Sequence, residues 1–417
     1  MIQLDLFDSP EVAATETAHG EAVNEDFLES ITTFNGFGRS TQAKTAEGIP
    51  YYCNEFWTAG QRQAHSLHEI SYRACFKAQL PEFFIARLTK PGDVVHDPFM
   101  GRGTTPTQAA LMGRQAFGND INPLSTLLTR PRLAPISERE VDAALRSIDF
   151  TSGAIRRDDL LAFYHPTTLV CLEALRDWIE ERAPLAAENP DPVADWIRMV
   201  SINRLSGHSP GFFSGRSMPP NQAVSVASQV KINEKLGLTP PLRDIRKVIV
   251  KKTQSLLNDG QAPVGVRSSL HTGPAWSTPG IADGTVDLVV TSPPFLDVVQ
   301  YASDNWLRCW FAGIDTDSVR IAMHKTEEAW TAMVHDVLTE QARILRSGGH
   351  VAFEVGEVRN GKVLLEQLVW RAAEGLPFDR LGVMINDQEF TKTANCWGVD
   401  NGSKGTNTNR IVILRRI

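Results

Sequence analysis

Four consecutive residues, Ser292, Pro293, Pro294 and Phe295, form the turn in this sequence that is best suited to chemistry. The apolar run before them, residues 286–290, predicts a short buried strand that ends at the turn. Two consecutive prolines fix two φ angles and remove two backbone donors, so the turn is rigid and its carbonyls have few internal partners. Carbonyls and a hydroxyl beside an aromatic ring suit a flat molecule that donates hydrogen bonds from an amino group. Because prolines that merely end a strand are common, this interpretation needs a second motif.

A glycine-rich turn at residues 97–105, with the sequence Asp-Pro-Phe-Met-Gly-Arg-Gly-Thr-Thr, is that second motif. Its residue types predict a strand, a turn and then a helix that Thr104 or Thr105 caps. Gly101 and Gly103 have no side chain and therefore let the backbone approach a ligand closely. Taken alone, such a turn predicts a nucleotide site, for which a dinucleotide is the generic expectation.

An acidic residue follows the glycine-rich turn at the distance that a nucleotide site requires. The next short strand, predicted at residues 115–119, ends at Asp120, about 20 residues after the turn. A carboxylate at the end of a second strand suits hydrogen bonds to ribose hydroxyls.

The elements that must position these residues alternate between strands and helices. A helix is predicted to begin near Pro81, another to end at Gly113, and a longer one at residues 327–346 to stop at Gly348-Gly349. Further strands are predicted at residues 350–355, 378–386 and 410–414. The carboxyl ends of parallel strands share one edge of a sheet, so we expect the two turns to meet there.

Both turns resemble motifs of one family, the DNA amino-methyltransferases. Residues 291–295 resemble its catalytic motif, residues 97–105 resemble its S-adenosylmethionine motif, and residues 118–123 resemble the motif that follows the latter. The resemblance implies S-adenosylmethionine as the cofactor, and it implies that these residues bind it: Phe76, Asp97, Pro98, Phe99, Gly101, Gly103, Thr104, Thr105 and Asp120. It implies catalytic roles for Ser292, Pro293, Pro294 and Phe295. The serine form, preceded by a threonine, is typical of the enzymes that methylate N4 of cytosine.

Two positions depart from the family pattern. Arg102 stands where the family usually has a small residue. In the region of the third strand, residues 270–276, there is no carboxylate to contact the cofactor's adenine, and the next acidic residue is Asp283. No adenine contact is therefore assigned.

The chemistry of an aromatic amine sets the mechanism that the resemblance implies. The lone pair of cytosine N4 is delocalised into the ring, so the amine is a poor nucleophile. If the Ser292 side chain and the Pro293 carbonyl accept its hydrogen bonds, they favour direct attack on the methyl group. Phe295 would stack on the extruded base, because the amine cannot be reached inside a duplex. The mechanism needs no metal and no covalent enzyme intermediate.

Residues 133–262 change to a helical pattern and carry a concentration of positive charge. Helices are predicted at residues 163–179 and 193–205, and a loop rich in glycine, serine and proline follows them. Residues 201–252 contain nine Lys or Arg against two acidic residues, in a chain of net charge −7. We interpret this block as a surface for double-stranded DNA, although a solvated helix face would have the same charges. The candidate DNA-binding residues are Arg204, Arg216, Asn221, Lys231, Arg246, Lys247 and Lys251.

The first 45 residues are acidic, lack periodicity and predict a mobile tail. The tail begins with Gln3, Leu4, Asp5, Leu6 and Phe7, which resemble the peptide that docks bacterial DNA-processing proteins on the replication sliding clamp. The resemblance implies that Gln3, Leu4, Leu6 and Phe7 bind the clamp. The same residues would also fit an edge strand that packs on its own domain.

Composition bounds the possible functions. Hydrophobic residues make up 42% of the 417 residues and charged residues 22%, as in ordinary globular proteins. No apolar run approaches the roughly 20 residues that span a membrane. Five scattered cysteines without a CxxC pair argue against a zinc site and a disulfide framework, and no cysteine follows a proline. We expect a cytoplasmic, nucleoid-associated protein.

The predicted fold is α/β: a Rossmann-like twisted sheet of the methyltransferase type with an inserted, mainly helical recognition domain. The expected divisions are a tail at 1–45, a first catalytic part at 46–132, the insertion at 133–262 and a second catalytic part at 263–417. The predicted function is methylation of cytosine N4 in duplex DNA. The alternatives are N6-adenine methylation by the same turn, methylation of a structured RNA, and a clamp-tethered DNA-binding protein without activity.

Overall fold

The computed structural model describes residues 27–58, 64–72, 75–134, 136–217, 223–296, 301–319, 324–358, 362–387 and 408–417. In this part of the chain nine strands form one sheet, and two short strands form a separate pair. The strands are β1 Gln42–Ala46, β2 Ile49–Asn54, β3 Val94–Asp97, β4 Gln115–Asp120, β5 Ser268–Thr272, β6 Val286–Thr291, β7 Leu345–Val355, β8 Glu357–Val358, β9 Val363–Leu364, β10 Phe378–Asp387 and β11 Thr408–Arg416.

The order of strands in the sheet is β1-β2-β10-β11-β7-β6-β3-β4-β5. Strands β7, β6, β3, β4 and β5 are parallel, and β11 is antiparallel to both β7 and β10. The chain runs outward from β3 through β4 to β5 and then returns to β6 on the other side of β3. Strand order therefore reverses between β3 and β6, and ligands of open α/β sheets bind at the carboxyl ends beside such a reversal.

Some helices cover the two faces of the sheet, and the others pack together as a separate layer. They are α1 Phe27–Thr32, α2 Gln79–Leu88, α3 Thr104–Leu111, α4 Pro123–Leu133, α5 Glu138–Ser147, α6 Pro166–Arg182, α7 Pro192–Ile202, α8 Val226–Leu236, α9 Ile245–Leu256, α10 Tyr301–Ala312, α11 Glu327–Ile344 and α12 Leu365–Ala372. Helices α11 and α12 bury one face of the sheet, and α1, α2 and α3 bury the other. The predicted α/β class is confirmed, as are the strands expected at 115–119, 286–290, 378–386 and 410–414.

The inserted segment is helical, as predicted, and contains α5 to α9. Its core, for example Leu172 and Ile249, is continuous with Leu127 of α4 and Leu307 of α10. Helices from both flanking segments thus share one core with the insertion. Its role as a recognition domain with limits at 133 and 262 stays a prediction.

Three local predictions were wrong. The segment expected to be a tail to residue 45 contains α1, whose Phe27 and Ile31 are buried, and β1, which pairs with β2. Helix α3 begins after Gly103 in a left-handed conformation, so neither Thr104 nor Thr105 caps it. Helix α11 ends at Ile344, before Gly348 and Gly349, because those glycines belong to β7. A Cβ on Gly349 would lie 3.0 Å from the Asp287 carbonyl oxygen of the neighbouring strand.

Within the described residues, none of the helices has the length and the apolar character needed to cross a membrane.

Candidate active site

The two motifs found in the sequence meet at the carboxyl edge of the sheet. Asp97 ends β3 and Thr291 ends β6, and the Thr291 hydroxyl donates to Asp97 Oδ1 at 2.6 Å. The hydroxyl of Thr105, in the first turn of α3, donates to the Val290 carbonyl at 3.0 Å. The glycine-rich turn and the Ser-Pro-Pro-Phe turn are therefore held side by side by hydrogen bonds.

Asp97 is the electrostatic centre of this junction. Its side chain is buried, and Oδ1 also accepts a hydrogen bond from the Phe99 amide at 3.0 Å. Burial raises the pKa of Asp97 to about 7, although the hydrogen bond from Thr291 opposes the shift. Its second oxygen, Oδ2, is buried and receives no hydrogen bond from the described residues. Asp97 Oδ2 is therefore a buried hydrogen-bond acceptor that no described residue uses, and the carboxyl group has a pKa of about 7.

The two glycines of the turn have different surroundings. Gly101 has a φ of +50°, and a Cβ there would meet its nearest neighbour, a Tyr72 ring carbon, only at 3.7 Å. Gly103 has a φ of +74°, and its Cβ would lie 2.2 Å from Thr129 Oγ1 on α4. The sequence assigned both glycines to ligand approach. In the structure only Gly101 leaves open space, whereas Gly103 lets α4 pack against the turn.

Asp120 fixes the shape of the glycine-rich turn. One carboxyl oxygen accepts from the Gly101 amide and the other from the Asn122 amide, both at 2.9 Å. Burial raises the pKa of Asp120. A role with ribose hydroxyls stays a prediction, because both oxygens already bind the backbone.

Arg102 connects the glycine-rich turn to the segment that carries Phe76. Its guanidinium donates to the Ile70 carbonyl at 2.9 Å and to the Phe76 carbonyl at 3.2 Å. Arg132 of α4 donates to the Arg102 carbonyl and, at 3.1 Å, to the Leu67 carbonyl. Burial lowers the pKa of Arg132 to about 9. Arg102, which departs from the family pattern, therefore has a structural role. Arg132 helps to hold the same turn, and the sequence analysis missed it.

The hydrogen-bonding groups of the Ser-Pro-Pro-Phe turn differ in whether they already have a partner within the fold. Trp330 of α11 donates its indole hydrogen to the Pro294 carbonyl at 2.9 Å. No donor of the described residues contacts the Pro293 carbonyl. Ser292 and Phe295 are half-buried, so both remain accessible to a ligand. The groups predicted to bind an amine are the ones that the fold leaves available.

Glu354 on β7 is a residue of this site that the sequence analysis missed. Thr291 is paired with Phe353 in the β6–β7 register, so Ser292 stands beside Glu354. The Glu354 side chain is 7% exposed, and burial raises its pKa. The neighbouring Ser292 hydroxyl and the Asn409 amide, which donates to Oε1 at 3.0 Å, lower the pKa and counteract part of the shift. A glutamate inside the apolar run 351–355 was the available signal, since buried carboxylates are rare without partners.

The candidate DNA-binding residues are not all available. Arg216, Lys231, Lys247 and Lys251 are exposed, and the Lys247 side chain is 85% accessible. Arg204 is half-buried with its guanidinium 4.5 Å from the centre of the Phe212 ring, and burial lowers its pKa.

Arg246 is also half-buried, 5.9 Å from the Phe150 ring, so Arg204 and Arg246 are weaker candidates than the exposed residues. Asn221 and the clamp-binding candidates Gln3, Leu4, Leu6 and Phe7 lie outside the described residues.

The insertion contacts α10, the helix that follows the Ser-Pro-Pro-Phe turn in the chain. The Trp306 indole of α10 donates to the Ala223 carbonyl at 3.3 Å, and Arg157 lies 5.6 Å from the Trp306 ring. Arg176 of α6 lies 4.6 Å from the Trp310 ring. These contacts attach the insertion to the half of the chain that contains Ser292.

Among the described residues, no group of three or more His, Cys, Asp or Glu side chains is arranged to hold a metal ion.

Comparison with known proteins agrees with the motifs. The model of the DNA methylase family matches residues 35–125. The type II methyltransferase M.BsoBI of Geobacillus stearothermophilus is 23% identical over 292 residues, which cover 61% of this chain and 54% of that protein. The type II methyltransferase M.MjaII of Methanocaldococcus jannaschii is 39% identical over 72 residues, 17% of this chain and 13% of that protein. The chain thus spans about half of one relative and a smaller part of the other.

Among solved structures, TrmN from Thermus thermophilus superimposes with a TM-score of 0.34 and 12% identity, covering 86% of this chain and 53% of that one. The fold assignment therefore rests on the strand order and not on this superposition.

Proposed function

We propose that this chain, whose residues 35–125 match the model of the DNA methylase family, transfers a methyl group from S-adenosylmethionine to an exocyclic amine of a base in double-stranded DNA. One observation carries the proposal. The Thr291–Asp97 hydrogen bond joins a glycine-rich turn with an open side to a rigid turn with an available carbonyl and hydroxyl. A cofactor and a flat amine could therefore occupy neighbouring positions at one sheet edge.

The residues at the edge fit this cofactor. Gly101 leaves space beside the turn, and the buried Oδ2 of Asp97 needs a donor. An amino acid moiety offers such a donor in its ammonium group. When bound, the cofactor would supply a methyl group that is already activated as a sulfonium. The candidate cofactor residues of the turn would hold it against the Ser-Pro-Pro-Phe motif.

The protein's own contribution is positioning and electrostatics. Phe295 would stack on an extruded base, while the Pro293 carbonyl and the Ser292 hydroxyl accept hydrogen bonds from its amine. Because these acceptors stabilise the positive charge that develops on the nitrogen, they favour its attack on the methyl group. The turn is rigid, so little reorganisation accompanies the reaction.

We propose N4 of cytosine as the target atom. The support is the serine form of the motif with Thr291 before it, where Thr291 also bonds to Asp97. The exposed residues Arg216, Lys231, Lys247 and Lys251 would bind the phosphates of the duplex and bring the protein to the nucleoid.

The first residues suggest a second partner. Gln3, Leu4, Leu6 and Phe7 match the clamp-binding peptide in residue type, and on this basis we propose docking on a bacterial sliding clamp. The full chain should then bind immobilised clamp, and a chain without residues 1–8 should not bind it. Equal binding of the two chains, or none by either, would contradict the docking.

The function is tested with the purified protein, S-adenosylmethionine carrying a labelled methyl group, and genomic DNA from cells that lack the protein. We expect labelled N4-methylcytosine when the DNA is digested to nucleosides and analysed by mass spectrometry. Labelled N6-methyladenine alone would assign the chain to the adenine branch of the family. Transfer to RNA but not to DNA, or no transfer while the cofactor binds, would contradict a DNA methyltransferase.

A further inference from the structure

Helix α8 and the loop that follows it expose a concentration of apolar side chains. Among the described residues nine large hydrophobic side chains are exposed, and four of them lie within residues 230–242: Val230, Leu236, Leu238 and Leu242. Leu242 is 61% exposed, and none of the four belongs to a buried core cluster. Because exposed apolar patches with polar borders mark interaction sites, this surface has the composition of a docking site.

Basic side chains border these apolar residues. Lys231 and Lys235 are exposed on α8, and Arg216 is exposed beside it. A side chain of α8 donates to the Arg216 carbonyl at 2.9 Å, and a Cβ on Gly215 would lie 3.4 Å from the Cα of Pro240 in the loop. No carboxylate in the described part of the chain pairs with any of the three basic side chains. We define the α8 face as Arg216, Val230, Lys231, Lys235, Leu236, Leu238 and Leu242.

A DNA duplex would use only part of the α8 face. Its phosphates suit the candidate DNA-binding residues Arg216 and Lys231, but phosphates offer no apolar contact to the three leucines. An occupant that matches the whole face must carry negative charge and large apolar side chains on one short segment.

Residues 1–26, which lie outside the described residues, have this composition. They contain seven Asp or Glu and no Lys or Arg, so they account for the whole net charge of −7. The first eight residues combine two carboxylates, Asp5 and Asp8, with the apolar Leu4, Leu6 and Phe7. Charge and apolar character are therefore both complementary to the α8 face.

The length of this segment is sufficient for it to reach the α8 face. It continues directly into α1, which begins at Phe27. Fully extended, 26 residues span up to about 86 Å, whereas a globular chain of this size has a diameter of roughly 55 Å. Every part of the protein's surface is thus within reach of the first residues.

We propose that residues 1–8 dock on the α8 face of the same chain and compete there with duplex DNA for Arg216 and Lys231. Leu4, Leu6 and Phe7 cover the apolar side chains, and the carboxylates pair with the basic ones. The competition with DNA rests on the proposed function, whereas the docking itself does not. The same residues are the proposed clamp-binding peptide, so the two dockings exclude each other, and the clamp frees the α8 face for the duplex.

Weak docking is sufficient for this competition. A segment joined to the surface that it binds has an effective concentration on the order of 1 mM. With a Kd of about 0.1 mM, about nine in ten molecules are docked at that concentration, and the apparent affinity for DNA is about tenfold lower.

Docking is tested first without DNA, by hydrogen–deuterium exchange of the full chain. Because α8 loses its cover, residues 226–242 should exchange up to about tenfold faster in Leu6→Ser/Phe7→Ser than in the wild type. Val264→Ser, which alters a 93% exposed valine in the loop before β5, is the matched control and should exchange like the wild type. Equal exchange in all three proteins would contradict docking. Protection of α8 that grows with protein concentration would assign the α8 face to a second copy, and would also contradict docking within one chain.

Competition is tested with a labelled duplex by fluorescence anisotropy at low salt. Leu238→Ser/Leu242→Ser changes no charge, yet it should bind the duplex about tenfold more tightly than the wild type. Leu6→Ser/Phe7→Ser should show the same gain, and Val264→Ser should show none. A purely structural role of Leu238 and Leu242 would not tighten DNA binding.

The outcomes separate this inference from the proposed function. If the wild type methylates DNA and neither double variant binds the duplex more tightly, the inference is wrong and the proposed function stands. If Leu238→Ser/Leu242→Ser does not fold, Leu6→Ser/Phe7→Ser decides the comparison, because it leaves the α8 face intact. If no protein binds or methylates DNA, the proposed function fails, and the exchange experiment alone decides whether the segment docks.

Discussion

Gly101 and Gly103 stand two positions apart in one turn and share a left-handed backbone, yet they face different neighbours. Beside Gly101 there is open space, and beside Gly103 there is Thr129 of α4. The same residue type therefore leaves open space at one position and permits helix packing at the other. A sequence motif identifies the glycine, but it does not identify the neighbouring residue that leaves no room for a side chain.

The two glycines are distinguished by single alanine substitutions. Gly101→Ala should cost about 1–2 kcal/mol of stability, the strain of a left-handed alanine, and should weaken cofactor binding. Gly103→Ala adds overpacking against Thr129 and should cost about 2–5 kcal/mol in total. Urea unfolding and calorimetric titration with S-adenosylmethionine measure the two effects. Equal losses of stability would contradict the different surroundings.

The contribution of Asp97 to the stability of the folded protein decreases as the pH rises, which is unusual for an acidic residue. Its pKa in the folded protein is about 7, above the ordinary value of 3.8. Between about pH 4 and pH 7 the folded state therefore holds a proton that the unfolded chain has released. Stability contributed by this group falls as the pH rises through that window.

Asp97→Asn should remove this fall, so the variant should gain stability relative to the wild type as the pH rises from about 4 to about 7. Urea unfolding of both proteins along this range measures the difference, and the other titrating groups cancel in the comparison. The variant should also bind S-adenosylmethionine more weakly, because it lacks the carboxylate. A stability difference that is constant with pH would contradict the raised pKa.

At the scale of elements, local motifs were predictable and long-range neighbours were not. Residues 97–105 form one continuous stretch of sequence, and so do residues 291–295. The residue types within each stretch therefore predicted a strand end followed by a turn. Glu354 becomes part of the site only through the β6–β7 register, and Arg132 only through the packing of α4. Pairings of this kind depend on tertiary structure that no local pattern encodes.

Residues 65–72 and 75–76 connect the insertion to the glycine-rich turn. From α9, Lys252 pairs with Glu69 at 2.9 Å. From α7, Asn203 accepts a hydrogen bond from the Ser71 amide at 3.0 Å. On their other side Arg102 binds the carbonyls of residues 70 and 76. Displacement of these residues would therefore move the glycine-rich turn and the insertion together.

Arg102→Ala tests the connection. The variant loses both carbonyl contacts, so the segment with Phe76 should lose its fixed position and S-adenosylmethionine should bind about tenfold more weakly, the equivalent of one net hydrogen bond to a charged group. Arg146→Ala, on the exposed face of α5 where Arg146 pairs with Asp142, is the matched control. Calorimetry of both variants should show a loss of affinity for Arg102→Ala alone. An unchanged affinity would limit Arg102 to a structural role.

At the scale of the whole molecule, charge is distributed unevenly. The chain carries a net charge of −7, but nine basic residues are concentrated in residues 201–252. The structure divides this set: Lys247 and Lys251 are exposed on α9, whereas Lys252 is buried and paired with Glu69. Composition predicted the basic block, and only the packing of α9 shows which of its charges a duplex could contact.

Lys247→Glu combined with Lys251→Glu should weaken duplex binding and reduce the magnitude of its salt slope by about 2, since each lysine releases about one counterion. Lys90→Glu, an exposed lysine before β3 at the amino edge of the sheet, is the control and should have a smaller effect. Fluorescence anisotropy with a labelled duplex at several salt concentrations gives the slopes. Equal salt slopes for all three proteins would indicate that the charged face of α9 is solvated and does not bind the duplex.

The position of β11 has a consequence for synthesis of the chain. This strand, residues 408–416, lies between β7 and β10, and among the strands that the structure describes the β1–β2 hairpin joins the sheet only through β10. A nascent chain released before residue 408 would therefore lack the link that attaches three earlier strands. It would expose their edges and the apolar surface beneath them, and these are the features that chaperones and proteases bind. The sheet therefore covers these edges only after β11 has been synthesised and has paired with β7 and β10.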